Sequence, residues 1–237
     1  MISFQAVTDD IKRHGKKIPI LRNTNFDFDR RRMGLITPRE EQSEALLDLM
    51  AGYRIPDAGV VHRFGRVSWP VGRQLQLRSE LSGRATLRFI ARVYDLDFDE
   101  CEAIAHDLID FQHYYDRHVT EWPRLLTVKF AHAVVLLPDF DIYLVEGNPI
   151  IGDEEFMSRW MPLFEERILT RQMIIACRYA VHLRRFCRIV AVLKQDTLRM
   201  YPTVESAFEA LESNAVPPSP EVGESGPRDD VDLMDYE

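Results

Sequence analysis

The residues best placed to do chemistry lie at a strand-to-helix turn, Ile36-Thr37-Pro38-Arg39-Glu40-Glu41-Gln42-Ser43-Glu44-Ala45. In a chain of alternating strands and helices, such a turn after an early core strand is where a phosphate can rest on a helix N-terminus. A phosphate cradle needs glycines, so that backbone N–H groups can close around the oxygens, and a lysine to neutralise charge. This turn has neither. It carries Glu40, Glu41 and Glu44 instead. Two unit charges of like sign about 4 Å apart repel by roughly 4 kcal/mol at an effective dielectric near 20, which is about three decades of affinity. Other catalytic patterns are missing too. The seven histidines (His14, His62, His106, His113, His118, His132 and His182) form no HExxH pair, and no cysteine joins them at metal-ligand spacing. There is no GxSxG, and Cys101, Cys177 and Cys187 read as buried, reduced thiols.

The elements that position this turn can be read from periodicity. Met1–Thr8 alternates like a half-buried strand, Ile18–Phe28 is a second strand, and Met33–Ile36 is a short apolar segment. Glu40–Ala51 places Ala45, Leu46, Leu49 and Met50 on one helical face, closed by Gly52 and the turn Pro56-Asp57-Ala58-Gly59. Val60-Val61 and Arg66–Trp69 read as short strands, and the basic run from Lys12 to Lys17 as a solvated loop. Leu81–Tyr94, Asp99–Phe111 and Thr127–Leu136 have helical spacing. Asp141–Val145 is apolar enough to be a central parallel strand. Helix Phe156–Arg167, strand Gln172–Cys177, helix Ala180–Phe186 and strand Arg188–Leu193 follow. The order predicts an α/β fold with an antiparallel start and a helical insertion.

The net charge of −8 is unevenly spread. Residues 213–237 hold seven acidic residues against Arg228, together with Pro217, Pro218, Pro220 and Pro227, and read as a disordered acidic tail. The body is then close to neutral. This balance excludes a general nucleic-acid binder, which carries a basic surplus. No apolar run reaches the roughly 20 residues of a membrane span. Met1–Gln5 lacks the basic start and apolar run of a signal peptide. A cytosolic protein is expected.

A longer pattern appears at Ser68-Trp69-Pro70-Val71-Gly72, followed after eight residues by Leu81-Ser82-Gly83-Arg84 and then Arg88–Tyr94. With Leu46-Leu47, Gly52, Pro56–Gly59, Phe140-Asp141, Tyr143, Val145, Gly152-Asp153, Phe156, Leu163-Phe164, Glu166-Arg167 and Phe186-Cys187, it resembles the ATP-binding subunits of capsular-polysaccharide ABC exporters over nearly all of residues 1–204. The resemblance implies an ABC-type nucleotide-binding-domain fold: a RecA-like core with N-terminal antiparallel strands and an inserted helical subdomain at about 73–135. The domain would span residues 1–212, with 213–237 as the tail.

The resemblance also shows what this chain lacks. In that family the residues before Leu46-Leu47 are a glycine-rich Walker A ending in Lys-Ser-Thr; here they are Thr37-Pro38-Arg39-Glu40-Glu41-Gln42 and Ser43-Glu44-Ala45. The family's Walker B ends in Asp-Glu, for magnesium and the attacking water; here Glu146 and Gly147 follow Val145. The signature stretch falls at Pro123-Arg124-Leu125, the switch histidine at Arg178, and the adenine-stacking aromatic at Ile11. By the same resemblance Val67, Trp69, Pro70, Val71, Gly72, Leu81, Gly83 and Arg84 form the surface that meets the permease. The expectation is a pseudo-ATPase subunit on the cytoplasmic side of the inner membrane. It would dock on an export permease, alone or as a heterodimer with a competent ATPase, with no catalytic residue, metal or cofactor of its own. Two alternatives stand beside it: a subunit that still binds or hydrolyses ATP with Mg²⁺ to drive export, and a soluble regulator or scaffold that uses the acidic tail.

Overall fold

The computed structural model describes residues 1–13, 15–73, 80–148 and 152–212; the acidic tail lies outside them. Strands β1 (Ile2–Arg13), β2 (Lys16–Phe28) and β4 (Ala58–Arg63) form an antiparallel sheet in the order β2-β1-β4. The second sheet has the order β5-β6-β3-β7-β8, from β3 (Arg32–Ile36), β5 (Ile142–Glu146), β6 (Gln172–Ala176), β7 (Ile189–Lys194) and β8 (Thr197–Tyr201). Its first four strands are parallel, and β8 returns antiparallel to β7. Helices α2 (Gly83–Tyr94), α3 (Phe98–Leu108) and α4 (Arg124–Val135) lie between β4 and β5 in the chain. α5 (Glu154–Thr170), α6 (Ala180–Phe186) and α7 (Val204–Glu212) complete the fold.

Helix α1 (Glu40–Ala51) keeps the bounds that its apolar spacing predicts. It buries Ala45, Leu46, Leu47, Leu49 and Met50 in a core shared with Ile2, Phe4 and Phe28 of the antiparallel sheet and with Ile142, Leu144 and Ile174 of the parallel one. Tyr143 and Val145, on the other face of β5, enter the core built with α2, α4 and α5. Successive strand residues point to opposite faces, so a strand buried on both faces is apolar throughout.

Three expectations need correction. β5 is the end strand of its ladder, not a central one. It reads as central because an irregular segment covers its outer edge. Ser68 N donates to Ile142 O at 2.8 Å, Val71 N to Leu144 O at 2.8 Å, and Glu146 N to Val71 O at 2.7 Å. For the same reason Arg66–Trp69 is no strand: Val67 and Val71 make only isolated parallel bridges, and Pro70 between them has no N–H to continue a ladder. Ser68, fully buried, supplies its hydroxyl as acceptor for Leu144 N at 2.9 Å. The basic run is also not a free loop. Lys12 pairs with Lys17, and Arg13 with Lys16, at the end of the β1–β2 hairpin.

Strand β8 and helix α7 were not predicted from the sequence. The β7–β8 hairpin turns at Gln195 and Asp196, both at positive φ (51° and 57°), as a primed two-residue turn requires. α7 starts behind Thr203, whose hydroxyl accepts from Ser206 N at 3.1 Å.

Candidate functional site

The turn between β3 and α1 is short, because the helix already begins at Glu40. Thr37 is buried, and its hydroxyl donates to Arg39 O at 2.7 Å and lies 3.1 Å from the Ser43 hydroxyl. The amides of Gln42 and Ser43 both reach Arg39 O, at 3.2 and 3.4 Å. Gln42, also buried, donates from Nε2 to Pro19 O at 3.1 Å and ties α1 to β2. Pro38 and Arg39 are exposed, and Arg39 precedes the helix in extended conformation without a side-chain cap. Ala45 is buried in the core.

The three carboxylates do not line one loop, contrary to the sequence reading. Glu40 and Glu41 form the first turn of α1, where a negative charge meets the positive end of the helix dipole, worth about 0.3–1 kcal/mol. Glu44 is paired with Arg13 at 3.1 Å. They compensate the helix end themselves.

Glu146 ends β5 at the carboxyl edge of the parallel strands, level with Ala176 of β6, and Gly147 follows it. Gly147 N donates to Ala176 O at 2.8 Å. The Glu146 carboxylate accepts from Arg73, whose guanidinium also serves Asp48 of α1 and reaches Glu44 O at 3.3 Å. Burial disfavours the Arg73 charge, but its hydrogen bonds to Glu146 and Asp48 prevail and hold it firmly protonated, above the usual arginine range. Thr37, Gly147 and Arg178 thus follow three parallel strands at one sheet edge; Arg178 is exposed. Ile11 is half-buried on β1 opposite Ile18. Pro123, Arg124 and Leu125 are exposed at the start of α4. Ile11 packs against the core that holds Ala45 and Leu46 of α1. No group of three or more His, Cys, Asp or Glu among the described residues could hold a metal ion.

The chain is similar to several ATP-binding proteins. The ATP-binding protein BexA of Haemophilus influenzae is 25% identical over 192 residues, 80% of this chain and 88% of BexA. The capsule polysaccharide export ATP-binding protein CtrD of Neisseria meningitidis is 24% identical over 216 residues, 90% of this chain and 99% of CtrD. A polysialic acid transport ATP-binding protein KpsT of Escherichia coli is 25% identical over 167 residues, 69% of this chain and 75% of KpsT. No protein-family model matches. Among solved structures, an ATP-binding subunit of an ABC transporter superposes with TM-score 0.71 at 12% identity, covering 90% of this chain and all of that one. A dimeric bacterial ABC transporter cassette gives 0.67 at 14% identity, covering 85% and 98%.

The fold is that of an ABC nucleotide-binding domain.

Where the phosphate-loop pattern GxxxxGK[ST] is laid on this turn, its defined positions hold Thr37, Gln42, Ser43 and Glu44 and none of them matches. The eight residues read as a permease-facing surface divide in two. Pro70, Val71 and Gly83 are buried, so they shape the fold and cannot themselves be touched. Gly72, at φ +94°, lies so close to the Glu146 carbonyl that a Cβ would overlap it. A Cβ on Gly83 would lie 2.6 Å from the Trp122 ring. Arg84 is tied to Asp116 and Glu102, both at 2.7 Å. Val67, Trp69 and Leu81 remain half-exposed. Trp69 packs edge-on against Phe140 at 5.3 Å, beside Tyr94. All three cysteines are buried and free. Sequence reasoning missed Arg73, Asp48 and the buried pair of Asp9 with Arg54, joined at 2.6 Å. Nothing local marks Arg73, because its partners lie 25 and 73 residues away.

Proposed function

We propose that this chain is a nucleotide-binding-domain-like subunit of a capsular-polysaccharide exporter that docks on the inner-membrane permease without competent ATP hydrolysis. Two of the relatives are named for capsule polysaccharide export and polysialic acid transport, and all three align along most of their length, which supports the exporter assignment. The observation that carries the loss of hydrolysis is the closed β3–α1 turn. Where a phosphate needs free amides and a lysine, this chain has the Thr37 and Ser43 hydroxyls on each other and two amides on one carbonyl. Mg-ATP does not fit such a turn. Charge-assisted bonds contribute roughly 1.5–3 kcal/mol each, so losing the lysine and the cradle removes the larger part of phosphate affinity.

On this reading residues 1–212 act as one domain on the cytoplasmic face of the inner membrane, and the helical segment at about 73–135 contributes to the permease contact. No helix among the described residues is long and apolar enough to cross a membrane, so attachment rests on the permease. A competent ATPase as the second cassette would supply the exporter's energy.

Calorimetric titration of the purified chain with Mg-ATP tests the nucleotide half. The expected result is no binding up to 100 μM. Affinity tighter than that, about −5.5 kcal/mol, overturns the reading in favour of a subunit that still uses ATP. Affinity capture with the permease tests the docking half, and absence of copurification counts against it.

A further inference from the structure

Arg73 stands where three parts of the domain meet. Its guanidinium serves Glu146 at the end of β5, and Asp48 and the Glu44 carbonyl on α1. Asp48 lies one turn beyond Glu44, so both present the same side of the helix. The side chains are sheltered: 24% exposed for Arg73, 31% for Asp48 and 17% for Glu146. Salt screens such charges less than exposed ones. Two carboxylates converging there repel each other unless a cation separates them. A planar guanidinium with five donors can satisfy two carboxylates and a carbonyl together. The arginine is delivered on a fixed stalk: Val71 is bonded on both sides to β5, and Gly72 leaves no room for a side chain against the Glu146 carbonyl.

We propose that Arg73 is a resident counter-ion that holds α1 against the end of β5 with no ligand present. The protein's own side chain supplies the positive charge this junction requires, so the site edge is permanently closed and does not depend on a bound ion. This concerns how the junction is held and stands whether or not the chain binds nucleotide; the ATP titration is a separate measurement.

The test is a double-mutant cycle on the full chain, read by thermal unfolding. Arg73→Gln should lower Tm by at least about 2–4 °C, the scale set by the entropy of unfolding of a domain this size. Glu146→Gln alone should also lower Tm, because it removes one partner of the arginine. In the Arg73→Gln background, however, Glu146→Gln should raise Tm, because it relieves the uncompensated pair with Asp48. That reversal of sign is what a structural packing role would not produce. If Glu146→Gln lowers Tm in both backgrounds, or changes nothing in either, the counter-ion role is wrong. Should Arg73→Gln fail to fold, the cycle is run with Arg73→Lys. One charge then remains on a single-point donor, so Glu146→Gln should cost less than in the native background; an equal or larger cost overturns the proposal.

Discussion

The hydroxyl of Thr37 lies 3.1 Å from that of Ser43, inside the turn that joins β3 to α1. The same Thr37 hydroxyl donates to Arg39 O at 2.7 Å. Both residues are buried, so their bonds are made where water does not compete. Thr37→Val keeps the shape and removes the donor. It should lower the free energy of unfolding by about 1–2 kcal/mol, measured by urea denaturation. A change below about 0.5 kcal/mol would show that the turn does not depend on this hydroxyl.

Two glycines at positive φ near the end of β5 should respond unequally to alanine. Gly72 (φ +94°) has the Glu146 carbonyl where a Cβ would go, whereas Gly147 (φ +71°) has nothing within 4 Å. Gly147→Ala should cost only the left-handed strain, about 1–2 kcal/mol. Gly72→Ala adds a clash with backbone that cannot move aside, and should cost about 3 kcal/mol or more. Equal losses of Tm would mean that the segment covering β5 yields easily.

Asp9 is fully buried and its carboxylate is bound by Arg54 at 2.6 and 3.1 Å. Removing one partner of such a pair strands a charge away from water. Arg54→Ala should therefore destabilise by about 3 kcal/mol, well beyond the 0–1 kcal/mol of an exposed pair. Chemical denaturation of the single variant decides between these.

Stability should fall in acid with a definite shape. Burial pushes the Asp10 carboxyl upward, but hydrogen bonds from Lys17 and Arg22 prevail and hold it below the usual carboxylate range. At Asp153 the bond from Lys129 comes first and acts in the same direction. A carboxylate whose folded pKa is depressed contributes stability that is complete above its unfolded value, near 4. That contribution is lost as pH falls through the folded pKa. Tm should be flat from about pH 7 to 5 and decline below about pH 4. Asp10→Asn should make the decline shallower; an unchanged slope would remove Asp10 from the account.

The parts of the fold that one segment of sequence encodes were legible from it. α1 and α6 have the predicted ends, because apolar spacing and a following glycine or β-branched run are contiguous signals. The missing glycines and lysine of the β3–α1 turn were legible, while the bonds that Thr37, Gln42 and Ser43 make there were not. Its three glutamates were read as one loop although the predicted helix already contains them, and the pairing of Glu44 with Arg13 comes from across the domain. β5 looked central because burial, which sequence reports, is not the same as ladder position. Arg73 was invisible for the same reason: its partners come from α1 and β5, and only the folded chain brings them together.

The segment that lies along β5 seals one margin of the parallel sheet, and at the opposite margin Arg22 of β2 donates its amide to Asp196 O beside β8. A covered margin offers few free backbone groups to a strand from another molecule. The smaller sheet has a more exposed border. There β4 is an outer strand of six residues, with Val60 half exposed and Phe64 just beyond its end. When this protein self-associates under stress, growth should start from β4, and a charge introduced at Val60 is the change that would blunt it.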